Sequence, residues 1–425
     1  MSLRLVGKCL LIAAWLILSG FFIANENLAT LRKELKANEL NPDQVLKMKS
    51  DVQIVADSIT SFGLDFYRLL ASNAHENIIF SPYNLSGVMV MAYEGAGGKT
   101  AEEIRKVFHF PASFQVLGTG FRVLIDRMKM QDGLRIANAI WLQRGYNFRS
   151  DYLKKVGSNY QWHAFYCDFL REPGDSVSLI NKWVRENTYG RISELLERDS
   201  IGSLTRLILT GAIYFKGEWV HHFDENSTEE QDFWVETDKA IRVPMMRMSE
   251  ALLRYDENDE FQALEISYKW NPLSLVILLP RQSLPSIENR LDFEKWKQIK
   301  DRLREEYVMV YLPRFKFNKT YKFRDPLTRM GMSNVFSMGA DFSALARTEE
   351  PLFINDIIQK ALIGVDEKGT EAAAATTSYV LGGVVGNVAT SEPKIFRADR
   401  PFIFIIQEKI TGVILFLGQV VDPTK

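Results

Sequence analysis

The residues of this 425-residue chain that suit catalysis are few and dispersed. Its five histidines stand at 75, 109, 163, 221 and 222, and neither a Gly-x-Ser-x-Gly turn nor a His-Glu-x-x-His helix occurs. His221-His222 is a poor metal pair, because neighbours on a strand point to opposite faces. Gly95-Ala96-Gly97-Gly98-Lys99-Thr100 resembles a phosphate-binding loop, but Tyr93 occupies the position of its first glycine. It also follows a helix where that motif needs a strand. The reading is a turn, with Thr100 capping the next helix and Glu103 completing a capping box. An enzyme, a metal site and a cofactor are therefore not expected. What remains is a backbone segment, Gly364 to Pro401. It opens Asp366-Glu367-Lys368-Gly369-Thr370-Glu371, passes through Ala372 to Ala375, and then runs for about twenty residues almost without charge. Read with period two, Thr370, Ala372, Ala374 and Thr376 fall on one side, all small and uncharged. Such a segment can lie as a loop and still slot between two strands without steric or desolvation cost.

The elements that must hold this segment are built from a chain with 46% hydrophobic residues, ample for a large core. A net charge of −1 argues against nucleic-acid or membrane partners. Residues 1–24 read as a secretory signal, Arg4 and Lys8 flanking an apolar run from Cys9 to Leu18, with an uncleaved anchor as the alternative. Removal of that segment leaves Cys167 as a single unpaired thiol. Residues 25–49 form a charged extension in which Asn41-Pro42-Asp43 caps a helix. One domain then spans residues 50–425, with no linker or repeat. Its elements include a helix over Val52 to Ser72, a strand Ile78 to Phe80 meeting a buried helix at Ser81-Pro82, and strands Leu134 to Gln143 and Leu273 to Pro280. Val308 to Phe317 alternates as a strand, and two apolar strands flank a turn at Glu408 to Gly412.

Several stretches then resemble one family in order along the chain. They are Asn77 to Phe110, Leu207 to Trp219 with its Phe-Lys-Gly-x-Trp segment, Phe223 to Met246, Val308 to Phe317 with Arg314 in place of a lysine, Leu327 to Leu345, and Arg397 to Pro423. With the loop, they make the chain similar to the serpins, and in particular to secreted, animal-type members. The resemblance implies an α+β fold of three β-sheets and about nine helices, with an exposed reactive-centre loop. It implies a monomer that traps a target serine protease, or a cysteine protease, as an acyl-enzyme by inserting its cleaved loop into the main sheet. A non-inhibitory carrier, storage or chaperone-like protein is the alternative. The hinge residues are then Glu367, Gly369, Thr370, Ala372, Ala374 and Thr376. About seventeen residues counted from Glu367 place the scissile bond at Gly383-Val384, which suits a shallow, elastase-like pocket. Leu381 or Tyr379 would suit a chymotrypsin-like one.

The resemblance also carries a departure. Where serpins hold a serine, an asparagine and a histidine beneath the opening of the main sheet, this chain has Asn84, Gly211 and Gln359. The expectation is compensation, with the Asn84 and Gln359 side chains bonding each other or nearby backbone across the gap left by Gly211. Asn226 and Asn318 are glycosylation sequons, whereas Asn84-Leu85-Ser86 lies in a buried helix and should stay bare. Arg122, Arg127 and Lys129 are too sparse for a glycosaminoglycan site and read as a solvated helix face.

Overall fold

Apolar residues at helical spacing build the first element. The computed structural model describes residues 42–425 apart from 73, 74, 203, 270, 271, 349 and 371–391. Helix α1 (Pro42–Ala71) buries Val52, Val55, Ile59, Phe62 and Phe66 along one stripe. It crosses position 50 unbroken, so residues 42–49 of the extension are the first turns of the same helix. The expected signal, residues 1–24, and the rest of the extension lie outside the described residues.

After β1 (Ile78–Phe80) comes α2 (Pro82–Gly95), every residue of which is buried. Ser81 caps it by accepting from the Asn84 amide at 3.1 Å, and Pro82 sits in the first turn, where its missing N–H costs nothing. Helix α3 (Gly98–Val107) corrects the capping expectation. It starts at Gly98, so Thr100 is already inside the first turn. The Thr100 hydroxyl instead accepts from the Asp341 amide at 2.8 Å and from Asn334 Nδ2 at 2.7 Å, while Glu103 accepts from the Asn334 amide at 2.8 Å.

Then follow α4 (Phe114–Lys129), β2 (Leu134–Gln143), α5 (Ser150–Tyr160), β3 (His163–Cys167), α6 (Pro173–Asn187), β4 (Leu207–Phe215) and β5 (Gly217–Glu218). The chain continues with β6 (Asp224–Glu236), β7 (Lys239–Glu257), β8 (Phe261–Ser267), β9 (Leu273–Pro280), α7 (Pro285–Glu288), α8 (Phe293–Arg302), β10 (Arg304–Pro313), β11 (Phe315–Lys322) and α9 (Arg324–Arg329). It ends with β12 (Ile357–Val365), β13 (Gly369–Thr370), β14 (Lys394–Arg397), β15 (Phe402–Glu408) and β16 (Ile414–Val420). Nine α-helices are thus described. Arg127 of α4 is not solvated as expected; it is buried against Glu408, Nη2 to Oε1 2.6 Å.

The described strands form two hydrogen-bonded networks. One has nine strands, in the order β1-β16-β15-β9-β8-β7-β10-β14 with β6 on β7. The 19-residue β7 joins what would otherwise be two sheets, pairing β6 and β10 along most of its length and β8 only at Arg254–Glu257. The seven-stranded sheet runs β3-β2-β4-β12-β13-β5, with β11 on the far side of β12. The stretch Val308 to Phe317 is split between the two networks: β10 ends at Pro313 and β11 starts at Phe315. Period-two alternation cannot see which partner strand each half will take.

Candidate functional site

Strands β4 and β12 lie side by side in parallel, paired from Leu209–Ile357 to Ile213–Ala361. Beneath this seam α2 brings one amide to a line of residues that crosses three strands. Asn138 on β2 is opposite Gly211 on β4, and Gly211 is opposite Gln359 on β12. The Gln359 side chain donates from Nε2 to Asn84 Oδ1 at 2.8 Å and to the Ser81 carbonyl at 3.0 Å, and its Oε1 accepts from the Ser81 amide at 2.8 Å. Asn84 Nδ2 donates to Asn138 Oδ1 and, at 3.4 Å, to the Ala212 carbonyl. Gly211 makes the room: a Cβ there would lie 2.1 Å from Asn84 Oδ1. The structure therefore brings Asn84, Gly211 and Gln359 together and adds Asn138, which the sequence reading missed. All four sit in the core, Asn84 at 0% and Gln359 at 1% exposure. The signal for Asn138 was a lone amide in the apolar strand LRIANAIWLQ.

The second half of the site is the turn that follows β12. Asp366 closes it: its amide donates to the Gly369 carbonyl at 2.9 Å, and its Oδ1 accepts from the Lys368 and Gly369 amides at 2.9 and 3.1 Å. The chain then returns as β13, which pairs Thr370 with Val365 of β12 and Gly369 with Glu218 of β5. β11 occupies the other side of β12 at Val365, so β13 lies on the β4 side, at the end of the seam. Only glycine fits at 369, where a Cβ would meet the Gly217 carbonyl oxygen at 1.9 Å. Thr370 is buried, and its hydroxyl meets the Tyr268 hydroxyl at 2.6 Å.

Around the turn, Trp219 stacks on Tyr268 with ring centroids 4.5 Å apart and donates Nε1–H to the Asp366 carbonyl at 3.0 Å. Glu367 Oε1 accepts from Thr228 at 2.6 Å and from Arg314 at 2.5 Å. Burial pushes the Glu367 carboxyl up, but the Arg314 and Thr228 bonds outweigh it and hold the group below the usual carboxylate range. The Arg314 guanidinium, in the lysine's place, is correspondingly held more firmly charged by its bond to Glu367. Neither Thr228 nor Tyr268 was anticipated as a contact of this turn. The remaining hinge residues, Ala372, Ala374 and Thr376, and the bond Gly383-Val384, lie outside the described residues. Of the sequons, Asn226 on β6 and Asn318 on β11 are exposed.

A family model described as Serpin (serine protease inhibitor) matches residues 57–423. An uncharacterized serpin-like protein of Thermococcus kodakarensis is 41% identical over 374 residues, covering 87% of this chain and 86% of its own length. The leukocyte elastase inhibitor of Bos taurus is 35% identical over 378 residues, covering 86% of this chain and 98% of its own. Among solved structures, a highly specific serpin of the insect Tenebrio molitor has a TM-score of 0.78 at 30% identity, covering 87% of this chain and 98% of its own. Thyroxine-binding globulin in complex with thyroxine has a TM-score of 0.77 at 27% identity, covering 87% and 99%.

Proposed function

The chain belongs to the serpin family, and from that premise we propose that it is a suicide-type inhibitor of a secreted serine or cysteine protease rather than an enzyme. The observation that carries the reading is β13. The first residue of the small-side-chain face, Thr370, already lies as strand at the end of the β4–β12 seam, buried and hydrogen-bonded. Continuing in the same direction, Ala372, Ala374 and Thr376 would face the same way with no charge to desolvate. The protease nucleophile attacks the Gly383 carbonyl, the amine of Val384 leaves, and the acylated loop extends the insertion that β13 begins. Backbone groups along the seam then gain a new strand partner, a stabilisation the uncut chain holds back.

The buried amides act as the catch on that seam. Gln359 ties β12 to α2, and Asn138 ties β2 to the same α2 side chain, Asn84. Parting β12 from β4 therefore means slipping Gln359 away from Asn84 and Ser81. These contacts support a shutter role for Asn84, Gly211 and Gln359.

An elastase-like target fits Gly382, Gly383 and Val384 and is supported by the likeness to the bovine elastase inhibitor. Relatives occur in archaea as well as in animals, so the reading is a secreted serpin without an animal-type assignment. Secretion rests on residues 1–24, sugar on Asn226 and Asn318, and the active species is a monomer without cofactor. A second reading, a carrier, draws on the likeness to thyroxine-binding globulin. Titrating elastase with the protein tests the choice. An inhibitor abolishes peptidase activity irreversibly near equimolar ratio; a carrier leaves it intact while its loop is cut.

A further inference from the structure

A carboxylate stands where an apolar helix face would be expected. After β9 the chain reads QSLPSIEN, and Leu284-Pro285 starts the single turn of α7, which ends at Glu288. Leu284 and Ile287 enter the core, and Glu288 goes with them, 6% exposed. A buried carboxyl needs a partner. The Tyr67 hydroxyl of α1 stands beside it. That hydroxyl has a single proton, which it donates to Gln419 Oε1 at 2.8 Å, and Gln419 Nε2 donates onward to the Glu76 carbonyl at 3.1 Å. With its proton engaged by Gln419, the Tyr67 hydroxyl offsets the burial of Glu288 only in part.

Glu288 also lines a cavity of about 450 Å³ between the end of α1, the β6–β7 hairpin, α7 and the segment that leads into β15. Ala71, Leu284 and Val421 give it apolar walls, and Trp234 stands in it 44% exposed. The other charged groups around it are already engaged or turned to solvent. Arg400 donates to the Pro280 carbonyl and to Asp399, both at 2.8 Å. Glu236 on the hairpin is exposed and pairs with Lys239 at 3.6 Å, and His75, from the segment after α1, is exposed.

We propose that this cavity binds a small amine carried on an aromatic or apolar body, anchored by the Glu288 carboxylate and packed on Trp234. The ammonium replaces the carboxyl proton of Glu288, so binding releases that proton to solvent and leaves an ion pair in a site of low polarity. Burial, partly offset by Tyr67, pushes the Glu288 carboxyl up to about 7, which puts this exchange within reach of neutral pH. The site shares no residue with the hinge or the buried amides and does not depend on the inhibitory reading.

The test uses the full chain with 2-phenylethylamine, and 3-phenylpropionate as the probe of equal body and opposite charge. Calorimetry is run in two buffers of different ionisation heat. With half-ionisation near 7, the amine should bind about fourfold more tightly at about pH 8 than at about pH 6.5 and release most of a proton at the lower value. The acid should not bind, and indole fluorescence should change with the amine alone. Glu288→Gln, nearly isosteric, should weaken the amine by about tenfold and remove both the pH dependence and the proton release. If that variant fails to fold, the pH series on the parent chain decides. Equal binding of the acid, pH-independent binding of the amine, an unaffected Glu288→Gln, or no amine binding up to its solubility would each overturn the proposal.

Discussion

Adding a single methyl group at position 211 should unsettle the centre of this molecule. In Gly211→Ala the new Cβ would lie 2.1 Å from Asn84 Oδ1, 3.0 Å from its Cγ and 3.3 Å from Asn138 Oδ1. The strand cannot retreat, because residue 211 is paired on both sides, to Asn138 and to Gln359. Asn84 must therefore turn away and lose its bonds to Gln359 and Asn138. Each of the two lost bonds leaves a buried polar group unpaired at about 1–3 kcal/mol, and overpacking adds about 1–3 more, so the total is about 3–9 kcal/mol. For a chain of this size that is roughly 3–10 °C in the thermal midpoint. Unfolding of such a fold is governed by rates, so midpoints are compared at one scan rate, alongside native gels of heated samples. The variant should melt lower and polymerise faster, and Asn84→Ser in the same chain, by removing the amide that the methyl strikes, should recover at least half the loss. A drop of less than about 1 °C, or no recovery in the double variant, would refute the packing argument.

The same network predicts that Asn84→Ala and Gln359→Ala each lower the midpoint, with the double variant costing about 1 kcal/mol less than the sum; strict additivity in that cycle would mean the contact contributes nothing. Glu367 has its carboxyl held below its ordinary 4.5, so the stability from its Arg314 bond is complete above that value and is lost as pH falls through the lowered one. Glu367→Gln should therefore be less stable at neutral pH, by about 1 kcal/mol since Arg314 is half exposed, and its deficit should close as the pH falls below 4.5 and through the lowered value. A deficit that persists in acid would assign the effect to packing. In a eukaryotic secretory host, glycopeptide mapping should find sugar on Asn226 and Asn318 and none on Asn84, which is fully buried.

Much of the fold could be read from local pattern. Leu134 to Gln143 and Leu273 to Pro280 end as strands where the sequence placed them, because long apolar runs are bounded by polar breaks. Ser81-Pro82 marked the start of α2 for the same kind of local reason, a capping side chain followed by a fixed φ. Choices of partner were not legible. Nothing in Val308 to Phe317 says that the chain changes sheets at Arg314, and nothing near Thr100 says that its hydroxyl will serve the amide of Asp341. Within the site, Asn84, Gly211 and Gln359 are distant in sequence and came together on paper only through resemblance. Asn138 needed the register of β2 against β4, and the Glu367 contacts needed the position of β6 and of the segment between β10 and β11.

The most direct measurement of the central claim mixes the purified chain with an elastase and runs the products under denaturing conditions. Inhibition by loop insertion predicts a band at the summed mass of chain and protease that survives boiling in detergent, and a released peptide that begins at Val384 or within one or two residues of it. A chain that is merely cut, with all protease activity recovered and no band at the summed mass, would contradict it.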